Sequence, residues 1–175
     1  MRAMEGITIR ALRPDDHEWA ERIIGGDHAG RMQARRGELV DALSCPGFVA
    51  EDPSSRVGLL TYRLHDDDAE IVYIEAVERL AGIGTALLDS LLACAAGRRA
   101  WVVTTNDNVD ALRFYQRRGF VITEVRPGAV AHARRTLKPR IPEVGSFGIP
   151  IRDEIELEYE APAAPQGRTA TPSNM

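Results

Sequence analysis

The chain has 175 residues, of which 44% are hydrophobic and 27% are charged, a balance typical of a folded globular domain. Its formal net charge is −4, which argues against a general nucleic-acid-binding protein, because contacts to phosphate need clustered lysine and arginine. No apolar run approaches the roughly 20 residues of a membrane span, and the amino terminus lacks the apolar core of a signal peptide. We therefore expect a cytoplasmic protein that has neither a membrane nor a nucleic acid as partner.

The first half of the chain predicts one strand, two helices and a hairpin of two strands. Alternating apolar residues indicate the strands, whereas capping residues and glycines mark the ends of the helices. The predicted elements are a strand at 7–12, a helix through 17–24 that Asp15 or Asp16 caps and Gly25–Gly26 ends, a short helix at 37–43 that Pro46 ends, and strands at 47–52 and 56–64 around a turn at 53–55.

The second half alternates strands and helices. After two glycines a helix begins, whose leucines recur at helical period, and Gly119 marks the end of the next helix. The predicted elements are strands at 69–77, 100–105 and 120–125, helices after the glycines and at 109–118, a half-exposed strand at 151–160, and a disordered tail at 161–175. We therefore expect a single α+β or α/β domain at residues 1–160, without internal repeats.

Cysteines and histidines give no sign of a metal site. Cys45 and Cys94 stand in neither a CxxC pair nor a Cys/His ligand spacing, so no metal is predicted. We expect both cysteines to be small core residues in a reducing compartment. His28 and His132 are isolated histidines, which we expect to be structural or exposed rather than catalytic.

The stretch RLAGIGTALL, residues 79–88, joins a predicted strand to a predicted helix. The first N–H groups of a helix lack partners inside the helix and, with the helix dipole, attract anions. Glycine lets a phosphate approach the backbone, so this turn is a candidate pyrophosphate site to which Arg79 adds charge and Thr85 a hydroxyl. The alternative is a tight connection without a ligand. A Walker loop is disfavoured because no lysine follows, and a Rossmann fingerprint because Leu87 occupies its third small position.

A second motif follows the strand at 100–105. The stretch NVDALRFYQRRGF, residues 108–120, and RLAGIG, residues 79–84, each come after an apolar strand. Together they resemble the GNAT superfamily of N-acetyltransferases, which carry [QR]-x-x-G-x-[GA] at the acetyl-CoA pyrophosphate turn and N-x-x-A-x-x-x-Y-x-x-x-G-F farther along the chain. The resemblance covers residues 7–125, and the stretch 137–158 is similar to the ending of a bacterial subgroup of unassigned substrate.

This resemblance implies both a fold and a co-substrate. The implied fold is a GNAT-like, three-layer α+β arrangement, in which a mixed, largely antiparallel central sheet is flanked by helices and splayed between its fourth and fifth strands. Acetyl-CoA is expected in the splay, with its pyrophosphate on the glycine turn. The implied binding residues are Val77, Arg79, Gly82, Ile83, Gly84, Thr85, Ala86, Asn108, Ala111 and Phe114. Plain core packing is an equal alternative for Phe114.

The resemblance also implies two catalytic groups. Tyr115 corresponds to the tyrosine that protonates the leaving thiolate, and its alternative is a buried tyrosine with a structural hydrogen bond. A carboxylate on the strand before the glycines would take the proton of the attacking amine. Glu70 and Glu75 lie five residues apart, so we expect them on opposite faces, with Glu70 exposed. We assign Glu75, because a carboxylate in the apolar run IVYIEAV is costly unless it is paired or functional.

The predicted activity is direct transfer of an acetyl group to a primary amine, without a covalent enzyme intermediate. The acidic turn at 65–70 and the acids of the last strand could attract a cationic amine, with Asp153 and Glu154 the better candidates, although a solvated strand face is the simpler interpretation for most of them. The acceptor stays open between a small metabolite, an aminoglycoside-like compound, a polyamine, and a protein amine. The alternatives are a non-catalytic acyl-CoA-binding or regulatory domain and a nucleotide-binding α/β domain. A homodimer is a further expectation from the family.

Overall fold

A computed structural model of the chain describes residues 6–25, 30–77 and 82–160. Nine strands and four helices lie in these ranges, together with three short 3-10 turns. The strands are β1 (Thr8–Ala11), β2 (Met32–Arg35), β3 (Glu38–Asp41), β4 (Gly47–Glu51), β5 (Arg56–Leu64), β6 (Asp68–Ala76), β7 (Arg99–Thr105), β8 (Phe120–Arg126) and β9 (Glu154–Tyr159). The helices are α1 (His17–Gly25), α2 (Ile83–Cys94), α3 (Val109–Gln116) and α4 (Ala129–Thr136).

The main sheet has seven strands in the order β1-β4-β5-β6-β7-β9-β8. Every neighbouring pair is antiparallel except β6 and β7, which are parallel. These two strands pair only from Asp68–Ile71 against Arg99–Val102, and beyond Ile71 and Val102 they no longer bond to each other. They are the fourth and fifth strands of the main sheet in chain order, so the predicted fold and its splay are both confirmed. The fork between them opens a cleft in the middle of the sheet.

Two apolar cores cover the two faces of the sheet. Helices α2 and α3 pack over one face, and α1 with the hairpin β2–β3 packs over the other. The buried residues of the first core include Leu60, Ile71, Leu87, Leu91, Phe120 and Leu157, and those of the second include Ala20, Ile24, Val40, Leu59 and Tyr73. Both cores meet at β6, which is therefore fixed on both faces.

The predicted helix at 37–43 is wrong, because these residues form β3 and a short 3-10 turn. Arg36 and Gly37 both adopt positive φ, at 48° and 79°, and close a two-residue turn between the paired Arg35 and Glu38. Positive φ at both central residues is the geometry of the tight turns that join antiparallel strands. Gly37 therefore belongs to a hairpin turn and does not start a helix. Helix α4 was not predicted at all.

Asp16 fixes the start of α1 to the edge of the sheet. Its carboxylate is 1% exposed, forms ion pairs with Arg10 (2.6 Å) and Arg56 (2.7 Å), and accepts a hydrogen bond from the Arg13 N–H (2.8 Å). The Arg10 guanidinium holds the pKa of this carboxyl well below its usual range. A lowered folded-state pKa stabilises the fold above the unfolded value of about 3.9, and this contribution is lost as the pH falls below it.

We expect Asp16→Asn to lower the free energy of unfolding by about 3 kcal/mol at pH 7, because it removes the charge of a buried carboxylate that two partly exposed arginines bind. Urea unfolding at pH 7 and pH 3 checks this, and the variant should lose less stability than the wild type between those values. Asp15→Asn is the matched control, since Asp15 is exposed. Equal losses for the two variants would show that the buried ion pairs do not stabilise the fold.

Candidate functional site

The fork between β6 and β7 opens into a cleft of about 720 Å³. Its floor consists of the diverging ends of the two strands, and its sides come from α3, the hairpin β2–β3, α4 and the segment that leads from α4 to β9. The lining includes five of the catalytic and binding residues predicted from the sequence: Glu75, Val77, Asn108, Ala111 and Tyr115. Arg79, another predicted site residue, lies outside the described residues.

The glycine turn forms the entry to α2. Gly82 precedes the helix with φ 79° and ψ −2°, a left-handed conformation that glycine adopts without steric cost. The Ala86 N–H donates to the Gly82 carbonyl (3.0 Å), so it belongs to the first helical turn. The helix therefore presents the N–H groups of Ile83, Gly84 and Thr85 as its first donors without a helical acceptor. Ile83 contributes only its backbone there, because its side chain is buried in the core.

Gly84, Thr85 and Phe114 meet where α2 and α3 touch. A Cβ on Gly84 would lie 3.0 Å from the Phe114 ring, so glycine permits this close approach. The guanidinium of Arg118 lies 3.8 Å from the centre of the same ring, and its Nε and Nη2 donate to Thr85 Oγ1 at 2.9 and 2.6 Å. Phe114 thus packs on the core and carries an arginine on its outer face. Arg118 was not predicted, although the pair Arg117–Arg118 directly before Gly119 is visible in the sequence.

Helix α3 begins beside the fork. Asn108 caps it, with its side-chain oxygen accepting from the Ala111 N–H (3.1 Å), and Ala111 faces the cleft. Tyr115 lies one turn further, is 3% exposed, and packs against Phe114 and Phe120 with ring centres 5.2 Å away in both cases. Burial raises the pKa of Tyr115, and the nearby charge of Arg35 acts in the opposite direction. Its phenol therefore stays protonated at neutral pH and faces the cleft.

A β-bulge decides where Glu70 and Glu75 point. Tyr73 pairs with Thr61 and Ile71 with Tyr62, so Val72 is an extra residue in β6. One extra residue inverts the alternation of side chains beyond it. The expectation of opposite faces is therefore wrong, since Glu75 pairs with Leu59 and lies on the same face as Glu70, the face that α1 and the hairpin β2–β3 cover.

Glu70 is buried rather than exposed, which corrects the second expectation about it. It is 0% exposed and accepts hydrogen bonds from Arg35 Nη1 (3.1 Å) and Arg63 Nε (2.7 Å). Arg35 is itself 4% exposed and also donates to the carbonyls of Ile71 (3.0 Å) and Val72 (2.5 Å), at the point where β6 leaves β7. This arginine, which was not predicted, ties the hairpin β2–β3 to the fork. Glu75 lies nearer the open end of β6 and lines the cleft.

The simpler interpretation of the acids on the last strand, a solvated face, is wrong for the acids of β9. Glu154 is 2% and Glu156 is 4% exposed, and burial raises the pKa of Glu154. Glu156 pairs with Arg126 at 2.5 Å, while Glu154 accepts from the Arg36 N–H and lines the cleft. Asp153 instead holds the entrance of α4 by accepting a hydrogen bond from the Gly128 N–H (2.8 Å). In the acidic turn at 65–70, Asp68 likewise forms an ion pair, with Arg99.

The stretch TTNDN fastens the segment before β9 to the end of β7. Asp107 is 5% exposed and accepts from Thr105 Oγ1 and from the Ser146 N–H (3.0 Å). Gly145 allows this contact, because a Cβ there would lie 2.0 Å from the Asp107 carboxylate. The Asn106 side chain similarly accepts from the N–H groups of residues 152 and 153. These polar residues therefore shape one wall of the cleft.

The remaining expectations concern cysteines, metals and membranes. Cys45 is half-buried and Cys94 is exposed, so Cys94 is not the core residue expected from the sequence. Within the described ranges, no group of three histidine, cysteine, aspartate or glutamate side chains could hold a metal ion. None of the helices in those ranges has the length and apolar character needed to cross a membrane.

A family model matches the segment of this chain that holds both motifs, and a bacterial protein resembles the chain in sequence. A family model described as an acetyltransferase (GNAT) domain matches residues 44–122, from β4 to the start of β8. The uncharacterized protein YdhI of Bacillus subtilis (strain 168) is 46% identical over 113 residues, which cover 62% of this chain and 70% of YdhI. The chain belongs to the GNAT acetyltransferase family. Its glycine turn, its fork and Tyr115 can now be considered as parts of that family's fold.

Solved structures of GNAT acetyltransferases share this fold. An IAA acetyltransferase from Bacillus cereus ATCC 14579 superposes with a TM-score of 0.68 at 20% identity, covering 89% of this chain and all of that one. A GNAT family acetyltransferase from Elizabethkingia anophelis, solved with acetyl-CoA bound, gives a TM-score of 0.63 at 20% identity, covering 90% of this chain and 99% of that one. At such identities the likeness establishes the fold and leaves the acceptor open.

Proposed function

We propose that this protein is an N-acetyltransferase, which binds acetyl-CoA in the fork between β6 and β7 and transfers the acetyl group directly to a primary amine. One observation carries the proposal: helix α3 places the buried Tyr115 in the cleft at the fork, and the neighbouring Phe114 lies against Gly84 at the glycine-bounded entrance of α2. Acetyl transfer from acetyl-CoA needs an anion site for the pyrophosphate and a proton donor for the leaving thiolate. The bound acetyl-CoA in the Elizabethkingia relative supports the choice of co-substrate.

The residues present fit acetyl-CoA. The N–H groups of Ile83, Gly84 and Thr85 would hold the pyrophosphate at the positive end of α2. From Val72 to Val77, the edge of the chain that faces β7 forms no backbone pairing with β7. An extended pantetheine arm can pair with such an edge as an added strand does. Asn108 and Ala111 line the opposite side of the cleft, on α3.

The chain's own groups handle two protons during the reaction. Acetyl-CoA supplies the activated acetyl group as a thioester. Glu75, directly or through a water molecule, accepts the proton that the amine loses as its nitrogen bonds to the acetyl carbon. Tyr115 donates its phenolic proton to the sulfur as the carbon–sulfur bond breaks, and regains a proton from solvent afterwards. No cysteine is needed as a nucleophile.

Calorimetric titration with acetyl-CoA, ATP and NAD tests the proposal. We expect acetyl-CoA to bind with a Kd in the micromolar range and the other two not to bind measurably at the same concentrations. Release of free CoA thiol in the presence of a panel of primary amines then separates an enzyme from a non-catalytic acyl-CoA-binding domain. Failure of acetyl-CoA to bind would contradict the proposal, and binding without turnover of any amine would favour the non-catalytic alternative.

Arg118 is expected to strengthen acetyl-CoA binding. It forms no ion pair with a described carboxylate, and its donors go to Thr85 Oγ1 and the Phe114 carbonyl. A cation beside a helix N-terminus is unfavourable unless an anion joins it. We therefore expect Arg118→Gln to weaken acetyl-CoA binding about tenfold in calorimetry, with a smaller dependence on salt concentration.

Arg117→Gln is the matched control for this effect. It removes the same charge from the same turn, but Arg117 is exposed. We expect its affinity for acetyl-CoA to stay within about twofold of the wild type, since exposed charges are largely screened. Equal losses in the two variants would show that only the net charge of the region matters and that Arg118 has no specific contact.

A further inference from the structure

The hairpin β2–β3 lies across the fork, on the face of the sheet that carries Glu75. Arg35 binds the β6 side through the carbonyls of Ile71 and Val72. The next residue, Arg36, binds the other side, because its N–H donates to both oxygens of Glu154 on β9 (3.1 Å each). Two successive residues of one tight turn are thus bonded to strands on opposite sides of the fork.

The segment between β8 and β9 forms a second crossing. Lys138 Nζ donates to the Met32 carbonyl of β2 at 2.5 Å, which joins the end of α4 to the hairpin. Arg134 holds the following loop by donating to the carbonyls of Ile141 (2.8 Å) and Ile151 (2.8 Å). The contact between Asp107 and the Ser146 N–H fastens the same loop to the start of α3. The segment is therefore fixed at both walls of the cleft.

These crossings limit what the cleft can accept beside the co-substrate. The whole cleft measures about 720 Å³, and the thioester end of acetyl-CoA must occupy part of it. Small-molecule pockets have volumes of this order. An extended polypeptide advances by about 3.3 Å per residue and needs an open groove that continues past the reacting amine. The bonds from Arg36 to Glu154 and from Lys138 to Met32 tie the hairpin to β9 and to the end of α4, and such ties between the walls of the cleft oppose an open groove.

The lining of this part of the cleft is apolar with a few charges. Its apolar surface comes from Ile23, Val130, Ala133, Ile141, Pro142 and Ile151. Its charged groups are Glu75, Asp107 and Glu154 against Arg35 and Lys138. Arg35 is paired with Glu70 at 3.1 Å, and the lining holds three carboxylates against its two cations. Such a lining suits a cationic head group on an apolar body.

We propose that the acceptor is a small primary amine with an apolar body, enclosed between the hairpin β2–β3 and the segment from α4 to β9, and not the terminus or a lysine of a polypeptide. This inference rests on the proposed function and deepens it by naming the class of acceptor. It predicts that the protein binds a small acceptor more tightly than a large one when both carry the same chemical group beside the amine. That discrimination can be measured before any natural acceptor is known.

Two conjugates of CoA provide the test, each joined from the CoA sulfur through an acetyl unit to an amine nitrogen. The first carries 2-phenylethylamine, and the second carries a five-residue peptide amide that begins with phenylalanine, so both place a benzyl group beside the same nitrogen. Calorimetry of the full chain gives their affinities beside that of CoA. We expect the first to bind at least as tightly as CoA, and the second at least about tenfold more weakly than the first.

A variant sharpens the result. Lys138→Ala removes the bond to Met32, so we expect it to bring the affinity of the peptide conjugate closer to that of the small conjugate, whereas the affinity for CoA stays unchanged. Arg135→Ala is the control, because Arg135 is exposed in the last turn of α4, three residues before Lys138. Conjugates that bind equally well to the wild type would overturn the proposal, and so would two conjugates that both bind poorly while CoA binds. If CoA itself fails to bind, the proposed function fails and this inference with it.

Discussion

Replacing Gly82 with aspartate is expected to abolish measurable acetyl-CoA binding while the protein stays folded. Aspartate is a favourable residue at the start of a helix, tolerates left-handed backbone better than most residues, and suits the positive end of the helix dipole. Helix α2 should therefore still form from Ile83 onward, although φ at this position is 79°. The new carboxylate, however, would occupy the site of the pyrophosphate and repel it. We expect the Kd to rise at least about 100-fold, or about 2.7 kcal/mol, in titrations with acetyl-CoA and desulfo-CoA.

Gly128→Asp is the matched control for this prediction. Gly128 also precedes a helix, α4, with φ 73°, and a Cβ there meets nothing within 4 Å. The two substitutions therefore introduce the same charge and similar backbone strain at two helix entrances. We expect Gly128→Asp to bind acetyl-CoA like the wild type. Tight binding by Gly82→Asp would show that the glycine turn is only a connection between β6 and α2, and weak binding by both variants would indicate backbone strain as the cause.

Elements whose signal is local could be predicted from the sequence. The hairpin of β4 and β5, the strand before the glycines and helix α3 each combine a clear apolar period with turn or cap residues, and the structure contains all of them. The stretch 37–43 has no such agreement, since ELVD suits a short helix and a short strand equally well. What decides it is distant in sequence: Arg35 pairs with Glu70, and Glu38 pairs with Arg63. No window of neighbouring residues contains that information.

The site divides in the same way. The positions of the glycine turn at the start of α2 and of Tyr115 on α3 could be predicted, because each motif is a continuous stretch with a strand before it. Arg35, Arg118 and the buried acids were not, because a charged side chain is expected to be exposed until its partner is known. Glu70 shows the second reason, since a single bulged residue, Val72, reverses the face on which Glu75 lies relative to it. An extra residue in a strand leaves no periodicity by which a sequence reveals it.

Replacing Tyr115 with phenylalanine is expected to lower kcat by about 10²- to 10³-fold, within the range typical of a lost general acid, with the Kd for acetyl-CoA nearly unchanged. The substitution removes only the hydroxyl, so the ring contacts with Phe114 and Phe120 and the burial of the side chain persist. The measurement is release of free CoA thiol with an amine that the panel identifies as an acceptor, beside calorimetry of the same variant. A lower rate at equal affinity is the signature of an interaction made only during the reaction.

The pH dependence of the rate checks the protonation state that the mechanism assigns to Tyr115. Burial raises the pKa of Tyr115, so its acid form is fully present at neutral pH and would be lost only as the pH rises through that elevated value. The wild-type rate should consequently show no tyrosine-dependent decline between pH 7 and about pH 10, the ordinary tyrosine value. Tyr62→Phe is the control, because Tyr62 is also buried but does not line the cleft. A comparable loss in that variant would indicate destabilisation, and full activity of Tyr115→Phe would remove the phenol from the mechanism and leave protonation of the thiolate to water in the cleft.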